Sequence, residues 1–379
     1  MARFQLNTKI IPEDHKIWLV YAGKRRRFFD FFYTHSCIFT SNPGFVPSAN
    51  IFSDEAQVRQ FVRLTRSVYN HISGRDPNPP TRRLDYYSNQ HGDHKTKEGR
   101  AFNSEVGNVQ RLFNEVKTGD LVISPAEGHY NPMLIGEVKS PWDSTQYQTV
   151  SKLQGENVPC RSVNWIRTDL SRRDFPLNVA KALQNPHAVS EFDSKLYNDV
   201  YRTVYPSYMA SDRSKIDLFA PKYSGHDPTE THEGGLLIKY FIAAYIADEQ
   251  DRIREFADLQ SSTAIQRFYD PSLVLEFRQN FNSPGEYSLV ASNKRLAAVV
   301  GLAIYLSVDP APLDTLLGNF TVTESATNQV TDEAQNARAK VQGLVDGMGR
   351  DRFEQEIREG PGREAREKLG LSSSITKQN

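Results

Sequence analysis

The stretch from Asn103 to Pro176 limits what this chain can fold into more than any other. Val109, Leu112, Phe113 and Val116 recur at helical spacing, and Lys117-Thr118-Gly119 closes that turn. Asp120 then opens an apolar run, LVISP, and Gly128 and Pro132 bracket a turn before a second run, MLIGEV. A polar insert follows, and then a third run, RSVNWIRT. Helix, hairpin and strand around Trp165 predict a small closed β-barrel with a helix across its mouth. Such a shape grips a small flat ligand, for example a nucleobase, in a cleft.

The order Gly119-Asp120-Leu121-Val122, Ile135-Gly136-Glu137-Val138, Arg161 to Trp165 and Arg172 to Pro176 resembles the EVE-like branch of the PUA superfamily. Ile17 to Gly23, followed by RFFDFF, is similar to that family's first strand and helix. The resemblance covers residues 16–190, and the polar segment Gly74 to Arg100 departs from it as an insertion. Members are often fused to nuclease or defence modules in prokaryotes, as in restriction proteins related to Mrr. The resemblance therefore implies a reader of a base in DNA or RNA, modified bases included, in an anti-phage defence or restriction setting. The expected fold class is α+β. A PUA-like, EVE-like β-barrel with flanking helices (residues 1–192, with a 74–100 loop insertion) precedes a mostly α-helical domain (193–318) and a polar, weakly helical tail (319–379).

A chain of 379 residues can hold two or three domains, and 38% hydrophobic with 24% charged residues is the balance of a soluble protein. Two cysteines, Cys37 and Cys160, make no disulfide framework and read as small core residues of a cytoplasmic protein. The start, MARFQLNTKI, lacks the apolar centre of a signal peptide. The net charge of zero conceals an asymmetry. Residues 1–176 carry 24 Lys and Arg against 18 Asp and Glu, a balance of +6, and the remainder carries −6. A basic front half suits a polyanion, although ordinary surface variation reaches the same size.

Asp54 with Gln57 predicts a capping box for a helix to about Asn70, with Val58, Phe61, Val62 and Val68 inward and Arg59, Arg63 and Arg66 outward. Further on, LLIKYFIAAYIADEQDRIREFADL, SLVLEFRQNF and ASNKRLAAVVGLAIYLSV are expected as helices. Leu236 to Ala247 and Leu296 to Val308 are too apolar for lone surface helices and too short to span a bilayer. The expectation is self-association, or a partner protein, through these helices and no membrane contact.

Three constellations carry candidate chemistry. Trp18, Phe45, Arg161 and Trp165, with Arg25, Arg26 and Arg27 nearby, supply stacking faces and phosphate-binding cations for a flipped base. The structural reading of the same residues is that both tryptophans fill the barrel core and the arginines form a solvated turn. Trp142, after Pro141, is a further candidate at a strand end. Asp120, Glu137 and Lys139 have the order of a PD-(D/E)xK nuclease, which would need Mg²⁺. The competing reading makes them ordinary residues of barrel strands, and then no cofactor is expected. His91, Asp93 and His94, and the run His226 to Glu233, hold metal-capable side chains, yet neither has a metal-site spacing, and a solvated turn and a helix-capping loop fit them better. A non-catalytic scaffold is the third functional class.

Overall fold

The computed structural model describes residues 3–48, 51–88, 97–185, 187–223, 228–280, 285–324, 331–373 and 375–378. The chain divides into two units: Asp14–Val204, and a split unit of Met1–Glu13 with Tyr205–Asn379. The first ends twelve residues beyond the expected 192, because helix Tyr197–Val204 buries Val200, Tyr201 and Val204. The opening strand, Arg3–Ile10, belongs to the second.

The 14–204 unit is built on a six-stranded sheet. Its order is Cys37–Ile38, Arg161–Arg167, Leu134–Val138, Leu121–Ser124, Ile17–Val20 and Val189–Glu191. All neighbours are antiparallel except Ile17–Val20 beside Leu121–Ser124. The three apolar runs of the sequence are therefore strands, with the expected GDLV–IGEV hairpin at its centre. The closed barrel is a correction: the sheet ends in two unjoined edges among the described residues. The polar insert holds a separate hairpin, Tyr147–Val150 with Glu156–Pro159.

Trp18, Val20, Val122, Val138 and Val163 share one core with Phe28, Phe32 and Phe39 and with Val58, Phe61 and Val62 of helix Glu55–Ile72. Ile17, Leu19, Leu121 and Ile123, on the other face, are equally buried. Strands covered on both faces read as continuous apolar runs, which is why IWLV and LVIS show no alternation. Asp54 caps its helix as expected, accepting from the Ala56 amide at 2.8 Å. The Gln57 side chain donates to the Asp54 carboxylate, not to its backbone. The helix's arginines are not outward. Arg59 donates to Asn103, Arg63 lies 5.0 Å from the Phe102 ring, and Arg66 faces Glu105, all on helix Lys97–Gln110.

Gly136 marks the tightest point of the sheet. A Cβ there would meet the Asn164 carbonyl at 2.6 Å and Trp165 Cε3 at 2.7 Å. A carbonyl fixed in the sheet cannot step aside, so Gly136→Ala is expected to lower stability by about 1–3 kcal/mol, read as a shift of the urea midpoint. An unshifted midpoint would mean that the bulge beside Gly136 absorbs the methyl group.

In the split unit the domain expected to be mostly α-helical also holds an extended sheet. A sheet runs Val274–Asn280, Gly285–Ala291, Ser214–Ala220, Ser207–Met209, Arg3–Ile10 and Phe320–Glu324. SLVLEFRQNF, read as helix, is mainly the strand Val274–Asn280, paired antiparallel with Gly285–Ala291. Its exposure nearly alternates along the strand, a period that a short mixed run does not distinguish from a helix. Helix Leu296–Val308 is buried at every residue and packs with Leu237, Phe241 and Ala244 of helix Pro228–Glu249. The tail is likewise part of this core. Helix Asp332–Met348 buries Ala337, Val341 and Leu344, and Phe353, Ile357 and Leu369 follow them. The apolar helices thus find cover inside their own unit, so their burial needs no second chain. Among the described residues no helix is long and apolar enough to cross a membrane.

Candidate functional site

The 14–204 unit carries a cleft of about 670 Å³ where strand Ile17–Val20 runs into the arginine stretch. The backbone there is unusual. Gly23 has φ 74°, and a Cβ would lie 2.7 Å from the Phe28 ring, so glycine is required. Arg25 and Arg26 follow at φ 54° and 55°, a left-handed pair that costs about 1–2 kcal/mol per residue outside glycine. This turn lays the Arg26 guanidinium 3.6 Å from the Tyr21 ring centroid. It also sends Arg27 over Phe28, at 4.3 Å. Tyr21 is fixed in turn by donating its hydroxyl to the Leu183 carbonyl at 2.8 Å.

The cleft's walls are cationic and amide-rich. Among the described residues Lys24, Arg26, Arg66 and Arg75 line it against one carboxylate, Glu105. Burial draws the Arg26 pKa down, and Arg172 adds to that, while Tyr21 opposes it. Asn42, Asn70, Asn108, Gln184 and Asn185 contribute amides. Asn42 donates to Thr65 Oγ1 at 2.9 Å, and Asn108 Oδ1 accepts from the Val189 amide at 3.2 Å, so both are held in place from behind. Arg26 Nε and Thr40 Oγ1 are buried atoms without a hydrogen-bond partner. Burying such atoms is costly unless something completes them.

Glu105 is the outlier. It is half-buried, and among the described residues its ion-pair partner is Arg66, with Nε 4.0 Å away. Burial raises its pKa, and Arg66 only partly opposes the shift.

Of the residues expected to bind nucleic acid, the cleft gathers only Arg26. Arg25 is exposed beside it. Trp18 is fully buried, and its Nε1 donates to Asp120 at 2.8 Å. Arg161 is 1% exposed and donates to the carbonyls of Leu112, Val116 and Ser140 at 2.9–3.1 Å, so it fastens the end of a helix. Neither Trp18 nor Arg161 presents a face to a ligand. Trp165 is half-buried over Gly136 and donates Nε1 to the Phe32 carbonyl at 3.1 Å. Phe45 packs 6.3 Å from Phe61, and Trp142 packs on Phe52 and Phe113.

The nuclease set is not assembled. Glu137 sits directly opposite Leu121, so Asp120 and Glu137 point to opposite faces of the sheet. The Asp120 carboxylate already accepts from the Lys16 and Lys117 amides and from Trp18. Glu137 is buried and engaged, and Lys139 is exposed. His91, Asp93, His94, His226 and Asp227 lie outside the described residues, and His232 is exposed. Among the described residues no three His, Cys, Asp or Glu side chains converge on a metal position.

Sequence reasoning missed Tyr21, Arg75, Glu105 and the amides as site residues. Arg66 it placed on an outer face. Their one signal was the basic run after a buried strand, which located the cleft's rim. No family model, curated protein or solved structure matches the chain. The EVE-like resemblance therefore rests on the motifs quoted above alone.

Proposed function

We propose that the 14–204 unit binds nucleic acid, with one unpaired nucleotide in the cleft and neighbouring phosphates on the cations at its rim. The observation that carries this reading is the cleft's charge: Lys24, Arg26, Arg66 and Arg75 against Glu105, with Arg25 outside. A site of 300–1,000 Å³ suits a small planar ligand, and this cleft falls in that range. Guanidinium planes and tyrosine rings offer stacking surfaces, and the amides offer donors and acceptors for a base edge. Placing the protein in restriction or anti-phage defence, and reading a modified base, extend the proposal on the strength of the resemblance. The nuclease alternative loses support because its three residues do not meet.

Changing Arg26, Arg66 and Arg75 together to alanine is expected to weaken binding of a single-stranded oligonucleotide. The log–log salt slope should fall by about one for each phosphate contact removed. Fluorescence anisotropy between 25 and 200 mM salt, settings chosen for the screening range, measures this. An unchanged slope with unchanged affinity would show that the cleft is not the binding surface.

A further inference from the structure

Resting on that reading, we infer that the cleft selects guanine, with Glu105 accepting the two parallel N–H groups of its Watson–Crick edge. Among the described residues Glu105 is the sole carboxylate lining the cleft, and it accepts no hydrogen bond from them. A carboxylate held among cations in a site for an anionic ligand works against phosphate. Beyond its ion pair with Arg66, it suits a ligand that brings donors to it. Its two oxygens are acceptors and nothing else.

The four bases differ sharply in what they offer such a group. Guanine presents N1–H and N2–H side by side, a match for both oxygens. Cytosine and adenine each present one amino group next to a ring-nitrogen acceptor, which repels the second oxygen. Uracil and thymine present one N–H flanked by two carbonyls. Guanine also carries acceptors at O6 and N7, which guanidinium and amide donors satisfy. Arg66 stands beside Glu105, and Asn42, Asn70 and Asn108 line the same cleft. The wall thus offers both halves of guanine's pattern.

The test is displacement of a labelled single-stranded oligonucleotide from the full chain by GMP, IMP, AMP, CMP and UMP. IMP keeps N1–H and lacks the amino group, so it isolates one of the two contacts. GMP is expected to compete at least about tenfold better than IMP and the other three. In Glu105→Gln the amide keeps one acceptor and turns a donor toward the second N–H, so the gap between GMP and IMP should shrink to within about twofold. That variant should fold, because burial already disfavours the charged carboxylate. Its melting temperature at neutral pH should be no lower than that of the parent chain. Equal competition by GMP and IMP in the parent chain, or a gap that survives in Glu105→Gln, overturns the guanine contact and leaves nucleic-acid binding standing. GMP bound in direct titration, and preferred to IMP, by a parent chain that binds no oligonucleotide at low salt overturns the nucleic-acid reading and keeps the Glu105 contact. No binding of oligonucleotide or of GMP by the parent chain at low salt overturns both.

Discussion

Asp120→Ala is expected to destabilise the 14–204 unit by about 3–5 kcal/mol. The carboxylate is 2% exposed and accepts three N–H donors, from Lys16, Lys117 and the Trp18 indole, at 2.8–3.0 Å. Alanine leaves the buried Trp18 indole and the two part-buried amides without that acceptor, and it strips Arg161 of an opposite charge that helps keep it ionised. All three tryptophans, Trp18, Trp142 and Trp165, lie in this unit, so tryptophan emission during urea unfolding reports on it. Trp18 emission should also move to the red, as its Nε1 loses its acceptor and water enters. A loss below about 1 kcal/mol would mean that water replaces the carboxylate at little cost. The same residue was the first member of the candidate nuclease set, so the result also separates a structural from a catalytic role.

The second large effect is at Arg161. Burial pushes its guanidinium down to about 10, against the pull of Asp120, and it stays charged at neutral pH. It holds the carbonyls of Leu112 and Val116, where the helix continuing Lys97–Gln110 ends, and that of Ser140. A helix end leaves its last carbonyls without internal partners, and a cation there meets the negative end of the helix dipole. Methionine fills the volume but leaves three acceptors unmet, at about 1–3 kcal/mol each. Against that stands about 3 kcal/mol relieved by no longer burying a cation. The expected outcome of Arg161→Met is a net loss of about 3 kcal/mol in urea unfolding, the middle of the roughly 0–6 kcal/mol these figures span, with oligonucleotide affinity unchanged where the variant is folded. A folded variant with weakened binding would return Arg161 to the binding surface.

Much of the 14–204 unit was legible because its signals are local. Lys117-Thr118-Gly119 turns the chain after a helix, paired apolar runs flank turn residues, and Asp54 caps. The structure keeps each at its expected place. Trp18 as a core residue was one of two readings the sequence left open, and Arg161 was not legible as core, because a strand's sequence does not say what covers its faces. An arginine between Cys160 and Ser162 reads as a surface cation until three carbonyls are brought to it from elsewhere. The split unit was less legible still. Its central strand, Ser214–Ala220, pairs with Gly285–Ala291, some seventy residues away, and its opening strand, Arg3–Ile10, pairs in parallel with Phe320–Glu324, more than three hundred away. Pairings of that range leave no periodic trace in either segment.

Local pattern alone was enough to read Leu296–Val308 as a buried helix, three apolar strands after the Asn103 helix, and a basic run at the end of the Ile17 strand. These follow from hydrophobic period and turn chemistry, which act over a few residues. Only the tertiary structure decided which cations meet. It withdrew Arg161 into the core and turned Arg27 onto Phe28. It brought Arg26, Arg66, Arg75 and Glu105 to one cleft, from segments up to eighty residues apart. A charge's role depends on what surrounds it in space. Burial, a counter-charge or a hydrogen-bond partner can each come from anywhere in the chain, and only folding selects among them.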